Sequence, residues 1–299
     1  MKAARFTRFG GPEVLEIVDL PDPHPDAGQV RIAVRAAGVN ASDWKKRSGQ
    51  MDPELPQTLG YEAAGIIDEL GDGVSGVAIG DRVFGFSAAG AAQAELAVVS
   101  DFAPIPASLD FVQVAALPAA LETAARALDQ LGVTADSILL ISGASGNVGS
   151  VAVQLAVARG ARVIGTASAA NHDGLRALGA EPVSYGEGLV ERVRELAPDG
   201  VDRALDVAGS GILPELIELA GGPENVVTIA DFLGAREHGV RFSRGDAGRA
   251  LYVLGEVGEL VASERLTIPP IQTYPLAQIA EAHRVGEAGG VHGKIVLVL

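Results

Sequence analysis

Short apolar segments rich in β-branched residues alternate with longer amphipathic segments between residues 137 and 230. The short segments predict strands at 137–141, 161–166, 181–185, 202–208 and 225–230. The segments between them place apolar residues at helical spacing and predict helices at 147–159, 172–178, 189–196 and 212–220. Because strands that alternate with such helices form βαβ units, this region should fold as a parallel sheet with helices on both faces.

Residues 1–120 carry shorter apolar or alternating runs, separated by clusters of Gly, Pro and Asp, which predict a small β-rich domain. A helical pattern over 111–131, interrupted at Pro118, leads into the next domain. Residues 293–299 predict a final strand, which we expect to join a sheet of the first domain. The predicted domains are therefore 1–122 with 266–299, and 123–265.

The turn between the first predicted strand and helix of the second domain is the strongest functional signal. Gly143, Ala144, Gly146 and Gly149 follow the G-x-G-x-x-G spacing, with Ala144 in its first place. Glycines there let the backbone approach a ligand, and a helix N-terminus offers free N–H groups to a diphosphate. We expect Gly149 to let the helix pack against the strand. A tight turn without a ligand is the alternative, and the alternating βα pattern favours a dinucleotide site.

The composition narrows the classes of function. The chain has 299 residues, 48% of them hydrophobic and 20% charged, which suits a globular protein of about two domains. A net charge of -15 argues against nucleic acid or an anionic membrane as a partner. With no signal-peptide pattern and no long apolar run, we expect a cytoplasmic enzyme. The absence of cysteine excludes a thiol nucleophile and thiolate metal ligands.

Short motifs follow one another in a specific order along nearly the whole chain. They are MKAARFTRFGGPEVLE at 1–16, AGVNASDWK at 37–45, LGYEAAG at 59–65, GDRVFG at 80–85, AALPAALETA at 115–124 and HGKIVL at 292–297. Together with the glycine turn they resemble the medium-chain dehydrogenase/reductase superfamily, in its zinc-independent quinone oxidoreductase branch. The resemblance implies an α/β protein with a GroES-like β-rich catalytic domain, a Rossmann coenzyme domain with a doubly wound parallel sheet, and a cleft between them.

Zinc-binding relatives in this superfamily place a Cys after the G-V turn and a His in G-H-E. In this chain Asn40 and Ala41 follow the turn, and Tyr61 stands in the second motif. A tetrahedral catalytic zinc needs three such ligands, so no metal is expected. The histidines are scattered, and we expect them to be exposed or in loops: His24, His172, His238, His283 and His292.

The coenzyme preference is predicted from the end of the second Rossmann strand. NAD enzymes commonly end this strand with an acid, whereas no acid occurs here before Asp173. NADPH is therefore favoured over NADH. Ser168 is a candidate for binding the 2′-phosphate, and Tyr185 matches a family position at that group. Many relatives have a Lys or Arg near Asn171 at the 2′-phosphate. In this chain Arg176 or His172 would supply that positive charge.

The resemblance also implies which residues contact the coenzyme. The turn would hold the diphosphate, residues 208–211 would lie near the nicotinamide ribose, and 229–232 would approach the ring. A structural role is the alternative for Thr123, in helix packing, and for Lys294, as a solvated charge at a strand end. The complete cofactor-binding set is Thr123, Ser145, Gly146, Asn147, Val148, Ser168, Tyr185, Ala208, Ile229, Phe232 and Lys294.

Two residues are candidates for catalysis. Asn40 would line the nicotinamide side of the cleft, with a role in the turn as its alternative. Tyr61 occupies the position at which zinc-binding relatives have the ligand His of G-H-E. It could donate a proton to a developing oxyanion, or shape the pocket as a bulky aromatic side chain. Asp43 and Glu62 are candidates for orienting polar groups only.

Two basic segments are expected to lie mainly at the surface. Trp44 precedes the basic run 45–47, which we predict to be a solvated face. The run 236–249 falls where relatives have a loop and helix near the substrate entrance or the dimer interface, so contact with an anionic ligand is its alternative.

Without zinc to polarise a simple carbonyl, an activated acceptor is the more plausible substrate. We therefore expect an NADPH-dependent oxidoreductase that transfers hydride to a small-molecule electrophile, a quinone or an α,β-unsaturated carbonyl. An enoyl reductase of a biosynthetic pathway and a low-turnover NADPH-binding regulatory or structural protein are the alternatives. By analogy the chain should form a homodimer through a strand edge at 225–230 or in the region that follows.

Overall fold

The computed structural model describes residues 1–245, 248–289, 291 and 293–299. His292, and residues 246–247 of the basic run 236–249, lie outside the described residues. The chain forms two compact units, one from residues 1–119 with 268–299 and one from residues 120–267. These boundaries lie a few residues from the predicted ones.

The described residues form strands and α-helices that we number in chain order. The strands are β1 Lys2–Phe6, β2 Glu16–Asp19, β3 Val30–Val39, β4 Gln57–Thr58, β5 Glu62–Leu70, β6 Arg82–Ser87, β7 Leu96–Pro104, β8 Ile138–Ser142, β9 Arg162–Ala167, β10 Glu181–Ser184, β11 Arg203–Asp206, β12 Val226–Thr228, β13 Arg241–Phe242, β14 Ile271–Pro275 and β15 Lys294–Val298. The helices are α1 Ala41–Arg47, α2 Phe111–Ala115, α3 Pro118–Leu131, α4 Asn147–Ala158, α5 His172–Ala177, α6 Leu189–Leu196, α7 Leu213–Ala220, α8 Phe232–His238, α9 Val253–Ala262 and α10 Ile279–Glu287. Among these helices, none is long and apolar enough to cross a lipid bilayer.

The first unit is built on a six-stranded sheet in the order β14-β15-β3-β5-β6-β7, in which β3 also pairs with β7. The predicted terminal strand is confirmed, because β15 pairs antiparallel with β3 through Ile295 and Val39. The first half of β3 alternates buried and half-buried residues, and its last four residues are buried without interruption. This end of β3 leads directly into α1.

The second unit contains a sheet in the order β10-β9-β8-β11-β12-β13, and each adjacent pair is parallel. The predicted βαβ pattern is therefore confirmed, although the strands predicted at 202–208 and 225–230 are too long. The Asp206 carboxylate accepts hydrogen bonds from the amides of Ala208 and Gly209, and the Thr228 hydroxyl accepts from those of Ala230 and Asp231. These side-chain contacts turn the backbone out of the ladder.

The order of the strands also corrects the expected sheet edge. Because β12 lies between β11 and β13, residues 225–230 do not provide an edge of the described sheet. The edge on that side is β13, in the region that follows. The interruption of the helical pattern at Pro118 is confirmed, since α2 ends at Ala115 and α3 begins at the proline, as expected for a residue without a backbone N–H.

Candidate active site

A buried polar cluster in the first unit brings together residues from four segments of the chain. We call it the Lys294 cluster: Asn40, Asp43, Glu62, Gln93 and Lys294. Asn40 precedes α1, Glu62 begins β5 and Lys294 begins β15. The pairing of β15 with β3 and of β3 with β5 brings these chain positions together.

Three side chains of the cluster form a closed triangle of hydrogen bonds. The Lys294 ammonium lies 2.5 Å from Glu62 Oε1 and 2.5 Å from Asn40 Oδ1. Asn40 Nδ2 donates to the same Glu62 oxygen at 2.8 Å. The second Glu62 oxygen accepts from the amide of Ala119 at 2.6 Å. Glu62 is fully buried and Lys294 is 2% exposed, so the alternative of a solvated charge at the strand end is wrong for Lys294.

Two glycines of the recognised motifs make room for this cluster. A Cβ on Gly38 would lie 2.2 Å from Glu62 Oε1, so a side chain there would displace the carboxylate. Gly60 has a φ of +106°, and a Cβ on it would lie 2.5 Å from the Gln93 backbone nitrogen. The A-G-V-N and L-G-Y-E motifs therefore need glycine for packing around the polar groups.

Asp43 is fully buried and carries an altered acidity. Its Oδ2 accepts from the backbone N–H of Asn40 at 2.7 Å and from Gln93 Nε2 at 3.3 Å. Burial raises the pKa of Asp43 to about 6, and the hydrogen bond from the backbone N–H of Asn40 and the charge of Lys294 oppose that rise. The carboxylate is therefore expected to change charge close to neutral pH.

Tyr61 lies beside this cluster with its side chain half-buried. The Lys46 ammonium lies 5.0 Å from the centre of its ring, within range of a cation–π contact. Burial and the charges of Asp43 and Asp52 raise the pKa of Tyr61 to about 12. The phenol is therefore protonated at neutral pH, as a hydrogen-bond donor requires, and its role as proton donor stays a prediction.

The glycine turn of the second unit links β8 to the N-terminus of α4. Gly143 has a φ of +79°, and its amide donates to Thr166 Oγ1 at 3.0 Å. A Cβ on Gly149 would lie 2.2 Å from the Gly143 carbonyl oxygen. Gly149 therefore packs against the turn itself, and not against the strand as expected. The Asn147 Oδ1 atom is buried without a partner among the described residues.

Gly146 differs from the other glycines of the turn. A Cβ built on it would have one neighbour within 4 Å, the Gly143 carbonyl oxygen at an ordinary 3.4 Å. The N-terminal amides of α4 lie beside this open position, and the first turn of a helix leaves such groups without intrahelical partners. Ser145 and Gly146 are exposed, and Asn147 and Val148 are half-buried.

The remaining residues predicted to bind the coenzyme follow the carboxyl ends of adjacent strands of the second unit, apart from Thr123 in α3 and Lys294 in the first unit. Ser168 follows β9, Tyr185 follows β10, Ala208 follows β11, and Ile229 and Phe232 follow β12. Carboxyl ends of parallel strands share one edge of the sheet, which is where such sheets bind ligands. The register pairs Ser184 of β10 with Ala167 of β9, so Ser168 and Tyr185 leave the sheet at the same level.

Several side chains that shape this edge were not predicted from the sequence. Asp206 is fully buried, and its Oδ2 accepts from the Thr228 hydroxyl at 2.7 Å. Through the contacts described above, these two side chains position residues 208–209 and 230–231. Thr166 plays the same part for the glycine turn. A small polar residue at the end of an apolar strand is the signal that could have identified all three.

The local contacts near Ser168 involve neutral groups. Asn171 Nδ2 donates to the Ser168 hydroxyl at 3.2 Å and lies 3.5 Å from that of Ser145. Arg176, expected to assist with a 2′-phosphate, pairs with Asp173 at 2.7 Å, and both side chains are exposed. Tyr185 is 62% exposed.

A second buried cluster in the first unit corrects two predictions. Arg47, expected on a solvated face, is 1% exposed, and His283, expected to be exposed or in a loop, is fully buried in α10. Arg47 donates to the Gly10 carbonyl at 3.0 Å, to His283 Nδ1 at 2.9 Å and to Glu287 at 2.7 Å. Burial, together with the charge of Arg47, lowers the pKa of His283 to about 3. Basic residues late in a short helix gave no signal of this burial.

Within the described parts of the chain, no group of three or more His, Cys, Asp or Glu side chains is arranged to hold a metal ion. At the two positions compared above with zinc ligands, Asn40 belongs to the Lys294 cluster and the Tyr61 ring contacts Lys46.

Comparisons with known proteins agree with this architecture. The alcohol dehydrogenase GroES-like domain family matches residues 26–102, and the zinc-binding dehydrogenase family matches residues 178–297. The quinone oxidoreductase of Rattus norvegicus is 34% identical, over 100% of this chain and 98% of its own length. A 2-methylene-furan-3-one reductase of Solanum lycopersicum is 32% identical, over 99% of this chain and 79% of its own length.

Solved structures give the same result. The quinone oxidoreductase of Escherichia coli, crystallised with NADPH, superposes with a TM-score of 0.86 at 28% identity and covers 100% of both chains. The full-length similarity to the rat enzyme and this shared fold carry the assignment. The chain belongs to the medium-chain dehydrogenase/reductase superfamily, in its quinone oxidoreductase-like branch, and is an oxidoreductase of that type.

Proposed function

We propose that this protein is an NADPH-dependent, zinc-independent reductase of quinones or α,β-unsaturated carbonyls. The observation that carries the proposal is the open position at Gly146, beside the free amides that begin α4. The protein's own packing does not require glycine there, whereas close approach of a diphosphate would. Gly143 and Gly149 are explained by backbone geometry alone.

The residues of the turn fit a dinucleotide. The amides at the start of α4 would hold the diphosphate, and the unpartnered Asn147 Oδ1 would accept a hydrogen bond from a ribose hydroxyl. When bound, the coenzyme supplies a hydride from its reduced nicotinamide ring. The chain's residues have the tasks of binding, orienting and excluding water.

The region after β9 supports NADPH over NADH. A carboxylate at the end of this strand would repel a 2′-phosphate, and the nearest acid, Asp173, is directed into an ion pair with Arg176. Ser168, Asn171 and the exposed Tyr185 offer hydroxyl and amide groups to the phosphate. The NADPH complex of the Escherichia coli relative points the same way.

The class of substrate that accepts the hydride is proposed from the groups that lie near Asn40. The Lys294 cluster offers hydrogen-bond donors but no arrangement of metal ligands to polarise an unactivated carbonyl. Quinones and enones are already electron-poor and need less polarisation. The names of the rat and tomato relatives, a quinone and an enone reductase, cover the same two classes.

Titration calorimetry with NADPH and NADH tests the coenzyme proposal. Wild-type protein should bind NADPH at least about tenfold more tightly than NADH, a difference of about 1.4 kcal/mol. Gly146→Ala should fold normally and lose about tenfold or more in NADPH affinity, because its methyl group occupies the diphosphate position. Gly255→Ala, where a Cβ on α9 meets nothing within 4 Å, is the matched control and should bind normally.

Turnover separates the candidate functions. Oxidation of NADPH with a simple benzoquinone or a cyclic enone supports the proposal, whereas faster turnover of enoyl thioesters favours the biosynthetic enoyl reductase. Tight NADPH binding without oxidation by any acceptor would favour the regulatory or structural protein. Failure to bind either coenzyme would contradict the proposal, and stoichiometric zinc in active protein would contradict its metal independence.

We further propose a homodimer and a cytoplasmic location. The short edge strand β13 supports the dimer, because Arg241 and Phe242 leave one side of the sheet unpaired among the described strands. Sedimentation of the purified chain tests this proposal, and a monomer at micromolar concentration would contradict it.

A further inference from the structure

The hydrogen bonds of Asn40 fix the orientation of its amide. Lys294 can only donate, so the atom that faces its ammonium at 2.5 Å must be the amide oxygen. The Glu62 carboxylate can only accept, so the atom that faces it at 2.8 Å must be the amide nitrogen. An amide nitrogen carries two hydrogens, and Glu62 takes one of them. Among the described residues, one N–H of Asn40 is left for another acceptor.

Asn40 is also the member of the cluster that reaches the surface. Asp43, Glu62 and Gln93 are fully buried and Lys294 is 2% exposed, whereas Asn40 is half-buried. A ligand in contact with this cluster would therefore meet the Asn40 amide first. The charges behind it strengthen the donor, because the Lys294 ammonium draws electron density from the amide oxygen and polarises the N–H groups.

We propose that Lys294 and Glu62 are positioning residues that hold the Asn40 amide so that its remaining N–H donates to the carbonyl oxygen of the hydride acceptor. This inference rests on the proposed function and names the group that receives the developing charge. Asn40 is then the catalytic residue, since it touches the reacting molecule. Tyr61, whose phenol is held near Lys46, is not required for that contact.

The reaction served by this contact is balanced as follows. A hydride forms a new C–H bond on the acceptor, and the displaced π electrons move through the conjugated system onto the carbonyl oxygen. The resulting enolate accepts a hydrogen bond from Asn40, while the coenzyme is left oxidised. The enolate of an enone then takes a proton from water at its α-carbon. The enolate of a quinone takes a proton on oxygen and loses one from the new CH2 carbon to water, which gives the hydroquinone. A donor at that oxygen is worth more as its charge grows, so it accelerates the step.

The inference can be tested without turnover. In wild-type protein saturated with NADP⁺, 4-nitrophenol mimics the anion, and its absorbance reports whether it is ionised. We expect the bound phenol to have a pKa at least about one unit below that of the free phenol. Asn40→Ala and Lys294→Met should both abolish that shift. Absence of nitrophenol binding, or an equal shift in wild type and Asn40→Ala, would overturn the inference.

A double-mutant cycle tests whether the two residues act through one amide. Each single variant should lower kcat by about 100-fold or more with NADPH affinity within about threefold of wild type, and the double variant should be no worse than the poorer single one. Multiplying losses would show independent roles and overturn the inference. If Lys294→Met does not fold, Glu62→Gln takes its place. The glutamine keeps the shape but offers one oxygen to the three donors that the carboxylate accepts from, which are Lys294, Asn40 Nδ2 and the backbone amide of Ala119.

The two proposals fail in distinguishable ways. If wild-type protein does not bind NADPH, the proposed function fails. If it binds NADPH and reduces quinones while Asn40→Ala keeps its kcat, the proposed function stands and this inference fails.

Discussion

Helix α1 is attached at both ends to the C-terminal segment of the chain, and the two attachments differ in kind. At its beginning, Asn40 bonds with Lys294 of β15. At its end, Arg47 bonds with His283 and Glu287 of α10. Both attachments bury charge, so burial alone does not distinguish a functional cluster from a structural one.

The difference lies in where hydrogen-bonding capacity is left unused. Arg47 donates to a carbonyl, a histidine and a carboxylate, and Glu287 gives its cluster a partner at the surface. In the Lys294 cluster, two buried carboxylates face one ammonium, and a half-buried amide keeps a donor in reserve. In the Arg47 cluster, the unused group is the His283 Nε2 atom, which is buried and has no partner among the described residues. Unused capacity at the surface is suited to a ligand, whereas a cluster whose unused group is buried is suited to holding elements together.

The largest expected effect is on stability, from Arg47→Met. The substitution leaves the buried His283 Nδ1 atom and the half-buried Gly10 carbonyl without their donor, which should lower the free energy of unfolding by about 3–5 kcal/mol. Urea unfolding followed by the fluorescence of Trp44, the single tryptophan, reports on this region. Arg176→Met, which removes an exposed ion pair, should cost less than about 1 kcal/mol, and equal losses in both variants would contradict the comparison.

The next effect combines stability and turnover, from Gly38→Ala. Its methyl group would lie 2.2 Å from Glu62 Oε1 and should push the carboxylate away from Asn40 and Lys294. We expect a loss of about 1–3 kcal/mol in unfolding free energy and a lower kcat, with NADPH affinity retained. Gly174→Ala, on α5 with nothing within 4 Å, should be neutral or stabilising. An unchanged kcat in a folded Gly38→Ala protein would show that the position of the Glu62 carboxylate does not affect the reaction.

The same comparison shows how far the sequence could be interpreted. The strands and helices of the second unit were predicted because hydrophobic periodicity is local, and the ends of β11 and β12 were missed because Asp206 and Thr228 cap them through side-chain contacts. The glycine turn was predicted because it combines a strand, a spacing and a helix within one short segment.

The two clusters at α1 were beyond sequence reasoning for a different reason. Arg47 and His283 are separated by most of the chain, and nothing local distinguishes a buried arginine from the two lysines before it. Lys294 was identified by resemblance and Glu62 only as a candidate orienting group, and their ion pair depends on the register of β15 with β3 and of β3 with β5. Partners brought together by sheet topology become visible only in three dimensions.

A smaller effect is expected on the pH dependence of stability, from His283→Gln. The pKa of His283 falls from an ordinary 6.5 to about 3 because the ring is buried near Arg47. Between these pH values the unfolded chain binds the proton and the folded one does not, so stability decreases as the pH falls, by up to about 1.4 kcal/mol per pH unit. The variant should flatten this slope in urea unfolding between pH 4 and pH 6.5, and an unchanged slope would contradict a neutral buried imidazole.

The smallest effect should come from Asp43→Asn, and it should have the opposite sign. Burial raises the pKa of Asp43 from 3.8 to about 6. This shift is smaller than that of His283, because the backbone N–H of Asn40 and the charge of Lys294 partly oppose the effect of burial. Between those values the folded chain holds a proton that the unfolded chain has lost, so this residue lowers stability as the pH rises. Removing it should make the total slope between pH 4 and pH 6 more positive, since the contribution of His283 then stands alone. The asparagine introduced at position 43 can still accept a hydrogen bond from the backbone N–H of Asn40, so the fold should survive the change. A less positive slope in Asp43→Asn would mean that its neighbours stabilise the carboxylate, and that the beginning of α1 accommodates a buried charge as well as its end does.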